Sequence, residues 1–289
     1  MSQNFSPIIA GTMLWGQWGK NYTTQEMVSM ITHCVEHKIT TFDHADIYGG
    51  YSTEEEFGKA WQETKLERNQ VQLISKCGIK MLHPSKVHRV KHYDYSCKHI
   101  IESCENSLKN LRTEYLDLFL LHRPSPLMRE DEIAQAISQL KSQGKIIDFG
   151  VSNFTPSQTA LVAQSTPIAF NQIAFSLTDH QPMTDGTLDY LKLHKIKVMA
   201  WAPLGNYFKS DNPQNERIKN VLEDLTKKYL KGEDILLLKW LMKHPMGIIP
   251  VVGTTDKNRL ANMKTTWTFE MDEEDWFLLY EASLGHRVP

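Results

Sequence analysis

Four side chains that can hold or transfer a proton follow three apolar segments of the chain. Asp43 ends one segment, Tyr48 lies five residues later, Lys76 ends a second segment, and His122 ends a third. The carboxyl ends of parallel strands meet at one face of a barrel. If the segments are such strands, the four side chains lie together.

This set of groups is suited to reducing a carbonyl, which requires a hydride on carbon and a proton on oxygen. A free tyrosine has a pKa of about 10, and a neighbouring ammonium favours the phenolate and lowers that pKa. We therefore interpret Tyr48 as the proton donor, Lys76 as the group that tunes it, Asp43 as the anchor of the lysine, and His122 as a hydrogen-bond donor to the substrate oxygen.

Each of these residues also has a purely structural interpretation. Asp43 and Lys76 could form a simple cross-strand ion pair, and a backbone carbonyl could satisfy His122. Tyr48 could be a loop aromatic packed against a helix. The occurrence of all four at strand ends favours the catalytic interpretation, because that is the face where barrels carry their active sites.

The elements that would position these groups alternate eight times along the chain. Nearly continuous apolar runs predict buried parallel strands at Pro7–Gly11, Ile39–Phe42, Val71–Ser75, Leu116–Leu121, Ile147–Val151, Ile168–Gln172, Ile196–Trp201 and Ile248–Val252. Capping boxes at Thr23–Glu26 and Ser52–Glu55 predict two helix starts. Further helices are predicted at Lys98–Leu111, Glu130–Ser142, Thr155–Gln164, Asp185–His194, Glu216–Tyr229 and Asp256–Met263, with two extra helices near 234–243 and 272–283.

This alternation predicts an α/β fold, a (β/α)8 TIM barrel with two extra helices, as a single domain over residues 1–289. The alternative is a doubly wound open sheet, which would carry a GxGxxG turn after its first strand. The sequence has no such turn there.

Composition excludes several classes of function. The net charge of −2 lacks the basic excess expected of a nucleic-acid-binding protein. The most apolar window is interrupted by Lys239 and His244, so we expect no membrane span. The four cysteines have no CxxC pair and the twelve histidines no HExxH motif, so we expect reduced thiols, no metal and a cytoplasmic location.

Three motifs resemble those of the aldo/keto reductases, and the resemblance extends over nearly the whole chain. The segment from Asp43 to Gly49 resembles the DxAxxYG signature of that family, and Tyr115–Pro124 resembles its fourth strand and histidine. Gly150–Phe154 resembles its fifth-strand motif. Other details are most similar to a bacterial branch of predicted oxidoreductases. The resemblance implies that Asp43, Tyr48, Lys76 and His122 are a catalytic tetrad.

The resemblance also implies a bound NADPH or NADP+. Its cofactor-binding residues would be Ser152, Asn153 and Gln172 at the nicotinamide carboxamide, Trp201 stacked on the ring, Ala202, Pro203, Leu204 and Gly205 along the pyrophosphate, Gly253, Thr254, Thr255, Arg259 and Asn262 at the 2′-phosphate, and Gly11 and Thr12 after the first strand. The family commonly has tyrosine where this chain has Trp201, and in many members lysine where it has Gly253. Helix-terminal amides and the Arg259 fork suit a phosphate, so we expect NADPH to be preferred over NADH.

The resemblance implies a small carbonyl substrate, with Trp15 as a wall of its pocket. Arg123 follows the tetrad histidine, and we interpret it as a contact for an anionic substrate group. A hydrophobic plug is the alternative for Trp15, and an outward salt bridge is the alternative for Arg123. We expect a monomer. Two other functions remain open at this point: a cofactor-binding regulatory module with little turnover, and an unrelated barrel enzyme such as a metal-assisted hydrolase or an isomerase.

Overall fold

The computed structural model describes residues 5–84 and 86–289. Its strands are β1 Ile9–Gly11, β2 Thr41–Asp43, β3 Gln72–Cys77, β4 Ile79–Lys80, β5 His92–Tyr93, β6 Leu116–Leu121, β7 Ile146–Ser152, β8 Phe170–Ala174, β9 Lys197–Trp201 and β10 Ile249–Val252. Eight of them pair in parallel in the closed order β1-β10-β9-β8-β7-β6-β3-β2. The predicted TIM barrel is confirmed.

Alternation along the strands divides the apolar core into two layers. Leu118 and Leu120 of β6 belong to the cluster inside the barrel, whereas Phe119 and Leu121 belong to the larger cluster between strands and helices. Successive side chains of a strand point to opposite faces. All four are buried because both faces of a parallel barrel are covered.

Eleven α-helices are found among the described residues. They are α1 Thr24–Glu36, α2 Tyr48–Tyr51, α3 Thr53–Glu63, α4 Cys97–Leu111, α5 Glu130–Ser142, α6 Pro156–Ala163, α7 Thr187–Leu193, α8 Pro213–Tyr229, α9 Glu233–Met242, α10 Lys257–Met263 and α11 Glu273–Leu284. The described part of the chain contains no helix whose length and apolar character would let it cross a membrane.

One of the two predicted capping boxes is present and the other is wrong. Thr23 and Glu26 cap α1 reciprocally. Ser52 makes no cap bond to α3, and its hydroxyl donates instead to the carbonyl of Gly49 at 3.0 Å. The reason is that the short turn of α2 precedes it, so the chain enters α3 already in helical conformation.

The two predicted extra helices exist, but only one of them lies outside the barrel layer. Residues Ile235–Leu241 of α9 are all buried, and α9 packs against β10 as a helix of the barrel layer. The outer pair is formed by α8 and α11, which pack on each other. The indole rings of Trp240 and Trp276 stack at 4.8 Å and join α9 to α11.

A short antiparallel hairpin, β4 with β5, was not predicted. Ile79 pairs with Tyr93 and Lys80 with His92. Each strand has only two residues, too few to produce an alternating pattern. The hairpin follows β3 directly, so its loop extends from the carboxyl face of the barrel.

Candidate active site

Barrel register brings the ends of β2 and β3 together. Asp43 is opposite Ile74, and the backbone bonds continue past the strands, since His44 N–H donates to the carbonyl of Ile74 at 2.8 Å and Asp46 N–H to that of Lys76 at 3.0 Å. The segment leading to Tyr48 is therefore fixed against β3.

Lys76 is the centre of the predicted tetrad. Its Nζ donates to Asp43 Oδ2 at 2.6 Å, to the carbonyl of His44 at 2.8 Å and to Tyr48 Oη at 3.2 Å. An ammonium has three protons to donate, and each has an acceptor here. Lys76 is 1% exposed and Asp43 is 3% exposed. The structure thus brings Asp43, Lys76 and Tyr48 into direct contact, as the sequence predicted.

The net pKa shift of Tyr48 is opposite to the one expected from its lysine neighbour. Burial raises the pKa of Tyr48 above its ordinary value, and the opposing effect of Lys76 does not cancel that rise. Asp43 raises the pKa further. The sequence correctly predicted that Lys76 lowers the pKa of Tyr48, but it did not show how deeply Tyr48 is buried. The phenol therefore keeps its proton throughout the neutral range.

Lys76 itself stays charged. Burial lowers the pKa of Lys76, but Asp43 and Tyr48 together raise it above its ordinary value. The neighbouring His44 is fully buried, and burial together with Lys76 lowers its pKa to about 3. His44 is thus neutral at physiological pH. The ammonium of Lys76 is therefore the positive charge in direct contact with the phenol.

His122 lies across the site from the lysine. Its ring is 6.0 Å from that of Tyr48, edge to face, and its backbone N–H donates to the carbonyl of Cys77 at 2.9 Å. Burial, then the positive charges of Lys76, Arg123 and Lys91, hold the pKa of His122 well below its ordinary range. Its Nδ1 is buried without a hydrogen-bond partner among the described residues. This leaves neutral Nε2 as the nitrogen that can serve a substrate oxygen.

The predicted carboxamide clamp is already joined to the tetrad. Gln172 Nε2 donates to Asp43 Oδ1 at 2.9 Å, and because a carboxylate only accepts, this contact fixes the amide with its oxygen free. Ser152 Oγ donates to the backbone carbonyl of Gln172 at 2.9 Å, Asn153 Nδ2 donates to Ser152 Oγ at 2.8 Å, and Trp201 Nε1 donates to Asn153 Oδ1 at 2.8 Å. One chain of polar contacts therefore connects Trp201 to Lys76.

The next predicted residues form a tight turn after β9. Ala202 and Gly205 both have positive φ, of 49° and 54°. A Cβ on Gly205 would stand 1.9 Å from Thr178 Oγ1, so a larger residue has no room there. Pro203 is buried and Leu204 is half-buried between these two residues. The turn presents mainly backbone, which suits close approach by a pyrophosphate.

The predicted 2′-phosphate segment follows β10 and is open. Gly253, Arg259 and Asn262 are exposed, and Thr254 and Thr255 are half-buried. One departure from expectation concerns the helix start. The backbone N–H of Arg259 already donates to Asp256 Oδ1 at 3.0 Å, and this bond lowers the pKa of Asp256 and keeps it charged. The Arg259 guanidinium therefore remains the cationic group for a phosphate.

Two residues after β1 differ from their predicted roles. Trp15 is 0% exposed and packs its ring on Phe42 and Phe57, so the pocket-wall interpretation is wrong and Trp15 is a core plug. Thr12 is also fully buried. Its hydroxyl donates to the carbonyl of Asp43 at 3.0 Å and lies 2.9 Å from His44 Nδ1, so its side chain supports the tetrad instead of facing a cofactor. Gly11 is buried in β1 opposite Asp43.

Trp18 is the aromatic that sequence reasoning missed. It is 41% exposed, and its ring centroid lies 6.1 Å from that of Tyr48. The signal was present as a second tryptophan three residues after Trp15. Without periodicity in this loop, nothing in the sequence decided which of the two faces the site.

Arg123 follows the tetrad histidine, and its guanidinium lies 5.3 Å from the centroid of the Trp201 ring. It is half-buried, and it takes part in no ion pair within the described residues. The salt bridge considered as its alternative role is therefore not formed. Arg123 is available to an anion at the mouth of the barrel.

A possible metal-ligand group occurs away from this site. Within the described ranges, His33, Glu36 and His37 on α1 offer three donor atoms within 4.8 Å of one another. The sequence analysis considered only the HExxH motif, and these residues have the spacing H-x-x-E-H, so this group was not predicted. None of the tetrad residues belongs to the group, so it plays no part in the chemistry at the mouth.

All four cysteines are free.

The comparisons with known proteins agree with this geometry. A sequence model of the aldo/keto reductase family matches residues 7–283. The chain belongs to the aldo/keto reductase family.

Relatives of this aldo/keto reductase cover almost its full length. The oxidoreductase YcsN of Bacillus subtilis is 38% identical over 99% of this chain and 96% of its own. The 6-dehydroglucose reductase of Agrobacterium fabrum is 34% identical over 96% of this chain and 95% of its own. A solved thermostable aldo-keto reductase, crystallised with the inhibitor epalrestat, superposes with a TM-score of 0.83 at 25% identity, over 98% and 97% of the two chains. The chain is therefore an oxidoreductase enzyme.

Proposed function

We propose that this enzyme reduces aldehydes or ketones to alcohols with NADPH, reversibly, and that Tyr48 supplies the proton. The observation that supports this most directly is the buried Lys76 ammonium, which contacts Asp43 at 2.6 Å and the Tyr48 oxygen at 3.2 Å. A purely structural ion pair has no need of a phenol as an additional partner.

Each side chain of the tetrad has a distinct role in the proposed reaction. The Tyr48 hydroxyl and His122 Nε2 both donate to the carbonyl oxygen and polarise it. As negative charge develops on that oxygen, Tyr48 gives up its proton, and the Lys76 ammonium stabilises the phenolate that remains. Asp43 holds Lys76 in place. When bound, the nicotinamide supplies the hydride.

The residues present fit a nicotinamide cofactor. Gln172 is oriented by the bond from its Nε2 to Asp43, so its amide oxygen is the atom that can accept from a carboxamide, and Trp201 offers an aromatic ring held by Asn153. Arg259 supplies a planar fork for a 2′-phosphate. Gln172 and Trp201 would serve NADH equally well, so the preference for NADPH rests on Arg259, and the nearby carboxylate of Asp256 weakens it.

Trp18, whose ring lies 6.1 Å from that of Tyr48, would form part of the pocket wall. The name of the Agrobacterium relative, a 6-dehydroglucose reductase, supports a small polar carbonyl compound as substrate. Four free cysteines support a reducing, cytoplasmic environment. We further propose that the chain acts as a single-domain monomer.

The function is tested by mixing protein, NADPH and a panel of small aldehydes and following loss of the nicotinamide absorbance. We expect consumption that falls by about 10²- to 10⁴-fold in Tyr48→Phe, the range for loss of a general acid. NADPH affinity should be unchanged in that variant. Tight NADPH binding without consumption of any aldehyde by the wild type would contradict the proposal and favour a regulatory module.

A further inference from the structure

The segment that contains the β4–β5 hairpin is strongly basic. Between Lys80 and Tyr93 the sequence has four cationic residues, Lys80, Lys86, Arg89 and Lys91, and no aspartate or glutamate, in a chain whose net charge is −2. Such a concentration of one sign of charge creates a local field that attracts anions. Its position decides what it could act on.

The hairpin lies beside the tetrad segment. Met81 N–H donates to Tyr51 Oη at 3.0 Å, and the Lys86 ammonium stands 4.6 Å above the ring of the same tyrosine. Tyr51 is three residues after Tyr48 and belongs to the same short helix α2. The basic segment therefore borders the mouth of the site.

Arg123 continues this positive region toward the cofactor side. Tyr95, just after the hairpin, donates its hydroxyl to the carbonyl of Arg123 and accepts from the Arg123 N–H at 3.1 Å. The backbone of Arg123 is thus clamped, while its guanidinium rests near the ring of Trp201. The Tyr95 contact thus joins the basic segment to Arg123. The positive charges of Arg123 and Lys91 are also causes of the lowered pKa of His122, after burial and Lys76.

Most of these cations form no ion pair within the described residues. Lys80 pairs with Asp94 at 3.7 Å, but in the ranges 5–84 and 86–289 no carboxylate is within 4.0 Å of the charged group of Lys86, Arg89, Lys91 or Arg123. The cofactor phosphate segment does not account for them either, because it follows β10, three strands around the barrel from β3. The alternative explanation is a solvated surface. It suffices for Lys86, Arg89 and Lys91, which are exposed, but not for the half-buried Arg123.

We propose that the preferred substrates are carbonyl compounds that carry an oxyanion, a carboxylate or a phosphate, bound by Arg123 and attracted by the basic segment from Lys80 to Tyr93. A guanidinium binds either oxyanion in a bidentate geometry. This inference rests on the proposed reductase function and adds to it the class of substrate.

A matched pair of aldehydes tests the proposal. We expect the wild type to reduce 4-carboxybenzaldehyde with a kcat/KM at least about tenfold above that for methyl 4-formylbenzoate, as one charge-assisted contact allows. Raised ionic strength should reduce the advantage. Arg123→Met should remove most of it, Lys91→Gln a smaller part, and the exposed control Lys227→Gln none. The same comparison of kcat/KM between glyceraldehyde 3-phosphate and glyceraldehyde is the phosphate arm of the test.

Two kinetic outcomes would overturn the proposal. In the first, the neutral substrate has an equal or higher kcat/KM than the anionic one in both arms. In the second, Arg123→Met lowers kcat/KM by the same factor for the acid and for the ester. An advantage in only one arm identifies the anion. A calorimetric titration of 4-(hydroxymethyl)benzoate into the NADP+ complex reports on Arg123 without turnover, and equal binding by wild type and Arg123→Met overturns the proposal. Absence of reduction with every carbonyl, together with binding that depends on Arg123, would instead contradict the reductase function alone.

Discussion

The tetrad and the proposed phosphate segment are built in opposite ways. Around Lys76 the polar groups are buried, and each proton of the ammonium already has an acceptor within the protein. After β10 the corresponding groups, Arg259 and Asn262, are exposed, and Arg259 pairs with no carboxylate in the described part of the chain. The first region is complete before any ligand arrives, whereas the second depends on its ligand for partners.

This difference separates chemistry from recognition. Stabilising a developing charge requires donors that are fixed in advance in a site of low polarity, because reorganisation then costs nothing at the moment of reaction. Binding a phosphate at a surface requires only a positive group within reach. Substitutions in the enclosed region should therefore affect both folding and turnover, and substitutions in the open region should affect only cofactor affinity.

Lys76→Met should have the largest effect. It leaves the carboxylate of Asp43 buried without its cation, so the free energy of unfolding should fall by about 3–5 kcal/mol, and kcat should fall by about 10²- to 10⁴-fold. Denaturant titration and NADPH consumption measure the two effects.

The double variant Lys76→Met with Asp43→Asn is the matched control. Removing the unpaired charge should restore much of the stability but none of the activity. If Lys76→Met alone unfolded at the same denaturant concentration as the wild type, the stability of the enclosed region would not depend on its ion pair.

Arg259→Ala should have an intermediate effect that is confined to the cofactor. We expect the Kd for NADPH to rise by about 10- to 100-fold, since a charge-assisted contact with the 2′-phosphate is lost, with little change for NADH. Fluorescence titration with both cofactors checks this. Lys264→Ala removes a charge at the far end of α10 and should change neither Kd. Equal losses for NADPH and NADH in Arg259→Ala would remove Arg259 from the phosphate site.

Asp256→Asn should have the smallest effect, in the opposite direction. Asparagine also caps a helix, so α10 should persist while the negative charge near the phosphate disappears. The Kd for NADPH should fall by about two- to fivefold, the size of an exposed charge effect at a helix end, and the Kd for NADH should stay the same. Weaker NADPH binding in this variant would show that Asp256 belongs to the site.

The sequence predicted the enclosed region better than its surroundings. Asp43, Lys76 and His122 were recognisable because each interrupts or ends an apolar strand, and the closed barrel brings strand ends together. The pKa shift of Tyr48 was not predictable, because the types of its neighbours were visible but its burial was not. The role of Trp15 was predicted wrongly and Trp18 was missed, because a loop without periodicity does not reveal which side chain points inward. The effect of Asp256 on the phosphate site was not predicted, because the sequence shows a helix start there but not which backbone N–H its carboxylate occupies.

The pH dependence of kcat/KM for reduction tests whether the proton comes from Tyr48 or from His122. The pKa of His122 is held low by burial and by Lys76, and the pKa of Tyr48 is raised by burial. If Tyr48 is the donor, the rate should stay level from about pH 6 to 9 and fall only as the phenol ionises, above its ordinary pKa of about 10. A falling limb with an apparent pKa near that of a free histidine, about 6.5, would contradict it, because the donor would then be the imidazolium.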